Sequence, residues 1–85
     1  MQADPKKVIR YVNVAKGQLE GINKMISNDE YCIDISNQIL AAIAVLNKAN
    51  NEIITAHIGH CIKNAKGEEF DRKMEEISRL LKRTL

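Results

Sequence analysis

Tryptophan is absent from this 85-residue chain, phenylalanine occurs once and tyrosine twice, so aromatics make up 4% of a composition that is 45% apolar. A β-sandwich core draws on aromatic and β-branched residues in alternation, which that scarcity excludes. Thin helices with stripes of Ile, Leu, Val and Ala remain. Proline occurs only at position 5, and no glycine falls between Gly21 and Gly59, so nothing breaks a long helix there. No apolar run reaches the roughly 18–20 residues of a membrane span. The opening Met1-Gln2-Ala3-Asp4-Pro5 lacks the charged-then-apolar pattern of a secretion signal, and the expected location is cytoplasmic, with no membrane partner. Cysteines stay reduced there, so the two present, Cys32 and Cys61, are candidates for metal or redox chemistry before crosslinking. No phosphate-binding loop and no nucleophile–base pair is visible, and catalysis is not expected.

Net charge is also scarce, with 13 basic against 11 acidic side chains, but it is unevenly spread. Residues 1–26 carry Lys6, Lys7, Arg10, Lys16 and Lys24 against Asp4 and Glu20, a net +3. Repeated over several subunits on one face, that excess makes a field that attracts phosphate.

Three helices are expected in one domain spanning residues 1–85, over about 5–27, 30–65 and 68–84. Asp4 caps the first and Pro5 fits its opening turn. Its apolar positions, Val8, Val12, Ala15, Leu19, Ile22 and Ile26, alternate steps of four and three, a coiled-coil seam, and Gly17 and Gly21 mark a side where another backbone can approach. Ser27-Asn28-Asp29-Glu30 is a polar break. The second seam is Cys32, Ile35, Ile39, Ala42, Leu46, Ala49 and Ile53, in a helix expected to run to about Ala65, some 50 Å at 1.5 Å per residue. A rod of that length cannot bury its seam inside so small a chain, so self-association is predicted. Lys66-Gly67 reads as a stop, and Phe70, Met74, Ile77 and Leu81 mark a short third helix.

His57 and Cys61 are four residues apart, which puts both side chains on one helix face as a metal-binding pair. Cys32 lies in the same seam but 25 residues earlier, roughly 38 Å away along a straight helix. One subunit cannot gather all three; two long helices packed antiparallel can, and a two-fold axis then repeats the site. Two thiolates and an imidazole form a soft set that favours Cu(I). Tyr31 and a helix-three carboxylate, Glu75 or Glu76, are placed to hydrogen-bond the outer imidazole nitrogen. His60 points to the surface, and Gln38, Asn47 and Asn50 are candidates for a polar layer between subunits.

These residues resemble the CsoR family of bacterial repressors, which includes copper, nickel, formaldehyde and persulfide sensors. The resemblance runs from about Ile9 to Leu81 and is carried by Gly17-Gln18-Leu19-Glu20-Gly21-Ile22, Met25, Tyr31-Cys32-Ile33-Asp34, Gln38 and His57-Ile58-Gly59-His60-Cys61. It implies an all-α, three-helix protomer with one long central helix, an antiparallel four-helix-bundle dimer that pairs into a tetramer, and release of operator DNA when Cu(I) enters at Cys32, His57 and Cys61. The rival branch senses reactive sulfur through Cys32 and Cys61 alone; its members usually lack the intervening histidine, so His57 favours copper. A metal-storage or helical interaction protein that never touches DNA is the third alternative. Family arginines that contact DNA are replaced here by Tyr11 and Val14; Lys6, Lys7, Arg10, Lys16 and Lys48 are the positions expected to carry DNA contacts instead.

Overall fold

A computed structural model describes residues 1–62 and 66–84, without the side chains of Cys61, Ile62 and Thr84. Among the described residues all regular structure is helical: α1 spans Pro5–Ser27, α2 spans Cys32–His57, a π-helical turn follows at Ile58–Ile62, and α3 spans Glu68–Thr84. The all-α, three-helix expectation holds.

Local chemistry explains each boundary. The Asp4 carboxylate accepts a hydrogen bond from the Lys6 amide at 3.0 Å, with Pro5 behind it. That satisfies one of the amides a helix start leaves unpaired. At the far end Asp29 takes φ 51°, and the Glu30 amide reaches back to the Met25 carbonyl at 3.0 Å. A left-handed residue with this six-to-one bond is the usual way a helix stops, with Asp in the place glycine most often fills. Gly67, at φ 61°, immediately precedes α3, where its carbonyl accepts from the Asp71 amide. Acidic Glu68, Glu69 and Asp71 at the start of α3 and basic Lys82 and Arg83 at its end complement the helix dipole.

The helices α1 and α2 form an antiparallel hairpin. Val8 packs with Ala49 and Ala3 in one buried cluster, flanked by Tyr11, Ile53 and Ala56. Ala15 and Ile22 on α1 and Ala42 on α2 continue the buried line. Ala15 is 1% exposed and Ala42 3%, so the hairpin closes on small side chains that let the two backbones approach.

Each expected seam therefore divides. In α1, Val8, Ala15 and Ile22 face α2, whereas Val12, Leu19 and Ile26 are 46–56% exposed. In α2, Ala42 and Ala49 are buried and Ile35 is half-buried, whereas Cys32, Ile39 and Leu46 are exposed. At about 100° per residue the two outward lines lie on the same flank of the antiparallel hairpin and form one apolar face. Ala3 and Ile54 are buried outside either seam.

Beyond α2 the chain stays helical through the π-helical turn to Ile62, and the rest of the expected span to about Ala65, residues 63–65, lies outside the described residues. Within the chain a Cβ added at Gly17 or Gly21 would find nothing within 4 Å, so that side of α1 is open.

Candidate metal centre

Cys32 opens α2 and is exposed, next to Tyr31, the residue that precedes the helix without a side-chain cap. His57 is the last residue of α2 and is half-buried. Counted around the helix, Cys32, Ile39, Ile43, Leu46, Asn50 and His57 share one outward stripe. The two donors thus stand at opposite ends of a 26-residue helix on the same side of it, joined by exposed Ile39, Ile43 and Leu46. The single chain does not bring Cys32 to His57, and among the described residues no group of three His, Cys, Asp or Glu side chains converges.

Cys61 lies in the π-helical turn, and its side chain is outside the described residues. The turn itself matters. In an α-helix of 3.6 residues per turn, residue i+4 overshoots a full turn by about 40°. A π turn, closed by i→i+5 hydrogen bonds, is wider, so residues four apart come closer to vertical alignment. Such turns recur at functional sites. The sequence carried a trace of it: Ile54, Ile58 and Ile62 step by four and four where the seam before them alternated three and four.

The supporting residues separate. Tyr31 is 66% exposed, beside Cys32 and far along α2 from His57. Glu75 accepts a 2.7 Å hydrogen bond from Arg79 within α3 and is engaged there, while Glu76 is exposed. His60 is exposed, as expected, as are Gln38 and Asn47; Asn50 is half-buried on the outward stripe.

Lys6, Arg10, Lys16 and Lys48 are all exposed. Lys6 and Arg10, one turn apart, point away from α2 together with Lys24. Lys16 lies on the flank of Val12, and Lys48 on the hairpin face opposite the Cys32–His57 stripe. Lys7 is turned toward α2 on that same opposite face, where its ammonium meets a Glu52 carboxylate oxygen at 3.0 Å. Sequence reasoning missed Glu52, because nothing in the spacing fixes how two helices align across a hairpin.

Comparison with known proteins shows the family of the chain. A family model described as a metal-sensitive transcriptional repressor matches residues 4–83. The chain belongs to that family. It is a family of regulators, not of enzymes. Among its relatives, the copper-sensing transcriptional repressor RicR of Mycobacterium tuberculosis is 35% identical over 71 residues, covering 80% of this chain and 74% of that protein. The copper-sensing transcriptional repressor CsoR of Bacillus subtilis is 32% identical over 69 residues, 80% of this chain and 68% of that protein. CsoR of Mycobacterium bovis is 29% identical over 65 residues, 76% of this chain and 55% of that protein. No helix among the described residues is long and apolar enough to cross a membrane.

Proposed function

We propose that this member of the metal-sensitive repressor family is a cytoplasmic Cu(I)-responsive repressor, in which Cys32 of one subunit joins His57 and Cys61 of a second across an antiparallel dimer. The observation that carries this reading is the outward stripe of α2. It has a thiol at one end, an imidazole at the other and exposed Ile39, Ile43 and Leu46 between. A second copy laid antiparallel on that stripe buries the three apolar side chains and brings opposite ends together by the same operation, twice per dimer.

The donor set fits the ion. Two thiolates and one neutral imidazole are soft ligands suited to monovalent copper, and three donors fall short of the four usual in structural zinc sites. Binding releases thiol protons, so affinity rises with pH up to the thiol pKa values. Of the two candidates Glu75 and Glu76, Glu76 is the one without the Arg79 bond and the one proposed to orient the imidazole, and Tyr31 of the opposing subunit reaches the same end of the bundle when the helices run antiparallel. Two dimers pairing into a tetramer would array Lys6, Arg10, Lys16 and Lys48 of several chains toward operator DNA. Copper that binds one arrangement of the bundle better than the other shifts that array; coupling of about 1–3 kcal/mol is the usual scale.

The relatives reported are named for copper, which is why metal is proposed ahead of the reactive-sulfur alternative, Cys32 bridged to Cys61. One experiment tests both. Reduced, metal-free protein is titrated onto promoter DNA under anaerobic conditions, then challenged with Cu(I) or with a persulfide donor. Release by Cu(I) that is lost in His57→Ala supports the proposal; release by the persulfide donor alone, indifferent to His57→Ala, rejects it.

A further inference from the structure

The contact between Lys7 and Glu52 joins α1 to α2 across the hairpin at 3.0 Å, unlike the Lys73–Glu69 and Arg79–Glu75 pairs, which lie within α3. Its place on the molecule is informative. Lys7 belongs to the basic N-terminal stretch, yet its ammonium is directed to α2 instead of standing outward with Lys6 and Arg10. Glu52 lies one helical turn after Lys48, so the carboxylate that meets Lys7 shares a face of α2 with a second lysine. The hydrogen bond that Lys7 donates to Glu52, followed by the charge of that carboxylate, makes Lys7 hold its proton more tightly than an ordinary lysine. Both side chains remain partly open to solvent, 49% for Lys7 and 38% for Glu52.

An exposed pair of this kind contributes little to folding, about 0–1 kcal/mol. Its effect on a polyanion adds up over every subunit that faces the duplex, because each lysine held by a carboxylate must give up that pair before it neutralises a phosphate and displaces a counterion from the DNA. We propose that Glu52 is a built-in competitor for phosphate: it occupies Lys7, lowers the affinity of this face for DNA, and so sets a threshold that a repressor with an unopposed Lys7 would lack. The inference rests on the DNA-binding reading above and adds to it a residue outside the metal ligands that tunes the affinity.

Nonspecific binding to a random-sequence DNA duplex is the direct probe, since it isolates the charge term. Metal-free, reduced wild-type protein, Glu52→Gln, Lys7→Gln and the double variant are titrated across about 50–200 mM salt. Glu52→Gln is expected to bind on the order of three- to tenfold tighter, with a log–log salt slope steeper by about one for each Lys7 that reaches phosphate. In the Lys7→Gln background, Glu52→Gln should gain nearly nothing. A Glu52→Gln protein with wild-type affinity and slope overturns the inference and leaves the DNA-binding reading standing. An equal gain with and without Lys7 also overturns it, by showing a general field effect. Wild-type protein that binds no duplex even at the lowest salt removes both. Thermal melts accompany each titration, and a Glu52→Gln melt within a few degrees of wild type shows that the change in affinity is not a change in folding.

Discussion

The two apolar lines of the hairpin repeat at the same spacing, yet they have opposite surroundings. Val8, Ala15, Ile22, Ala42 and Ala49 close the hairpin within one chain. Val12, Leu19, Ile26, Ile39 and Leu46 stay exposed a fraction of a turn away. The difference is one of bulk at the middle: alanines at 15 and 42 let two backbones come together, whereas Leu19, Ile39 and Leu46 make a broad surface suited to a third and fourth helix. The inner line holds the chain in a hairpin, and the outer line is the face that the proposed dimer would bury. Cys32 and His57 lie on the outer one, so the proposed metal site would depend on assembly in a way the hairpin does not.

Charging the outer line gives the sharpest contrast. Ile39→Asp with Leu46→Asp should abolish self-association at micromolar concentration and reduce Cu(I) affinity by about 100-fold or more, the larger end of what disturbing a metal site costs. Sedimentation and competitive copper titration read the two losses. A double variant that still dimerises would show that the outward face is not the interface. Overpacking the inner line should act differently. Ala15→Leu forces extra bulk between the helices and should cost about 1–3 kcal/mol, visible in a denaturant melt. If Ala15→Leu left stability unchanged while weakening assembly, the roles given to the two lines would be reversed. The smallest effect is at the hairpin's start: Asp4→Ala removes the cap on the Lys6 amide and should cost roughly 0.5–2 kcal/mol, without altering copper affinity per folded dimer. Together the three variants separate chain stability from assembly.

Much of this was legible in advance. Asp4-Pro5 and the polar break at residues 27–30 mark helix ends by local chemistry, and local chemistry acts the same in any surroundings; the stop read at Lys66-Gly67 adjoins residues outside the described set. The apolar seams were equally plain. Which half of each seam faces inward was not, because a three–four repeat names two lines and leaves their partners open; the Ala15 and Ala42 pair was the available hint. The burial of Ala3 and Ile54 off the seam and the Lys7–Glu52 contact depend on how segments meet in space, which periodicity does not encode. The π turn at Ile58–Ile62 was missed because His57 and Cys61 read as an ordinary i, i+4 pair, although the four–four step of isoleucines departed from the preceding pattern. Placing Cys32 and His57 on one stripe followed directly from counting, and that placement is what the proposed site uses.

Mixing subunits tests the shared site most directly. Cys32→Ser and His57→Ala proteins each lack a donor in both sites of their own dimers. Co-refolded as a heterodimer, they leave one site with Cys32 from the second protein and His57 and Cys61 from the first. Anaerobic titration should then recover one tight Cu(I) per heterodimer where neither parent binds tightly. No recovery from a verified heterodimer would contradict a site completed across two chains.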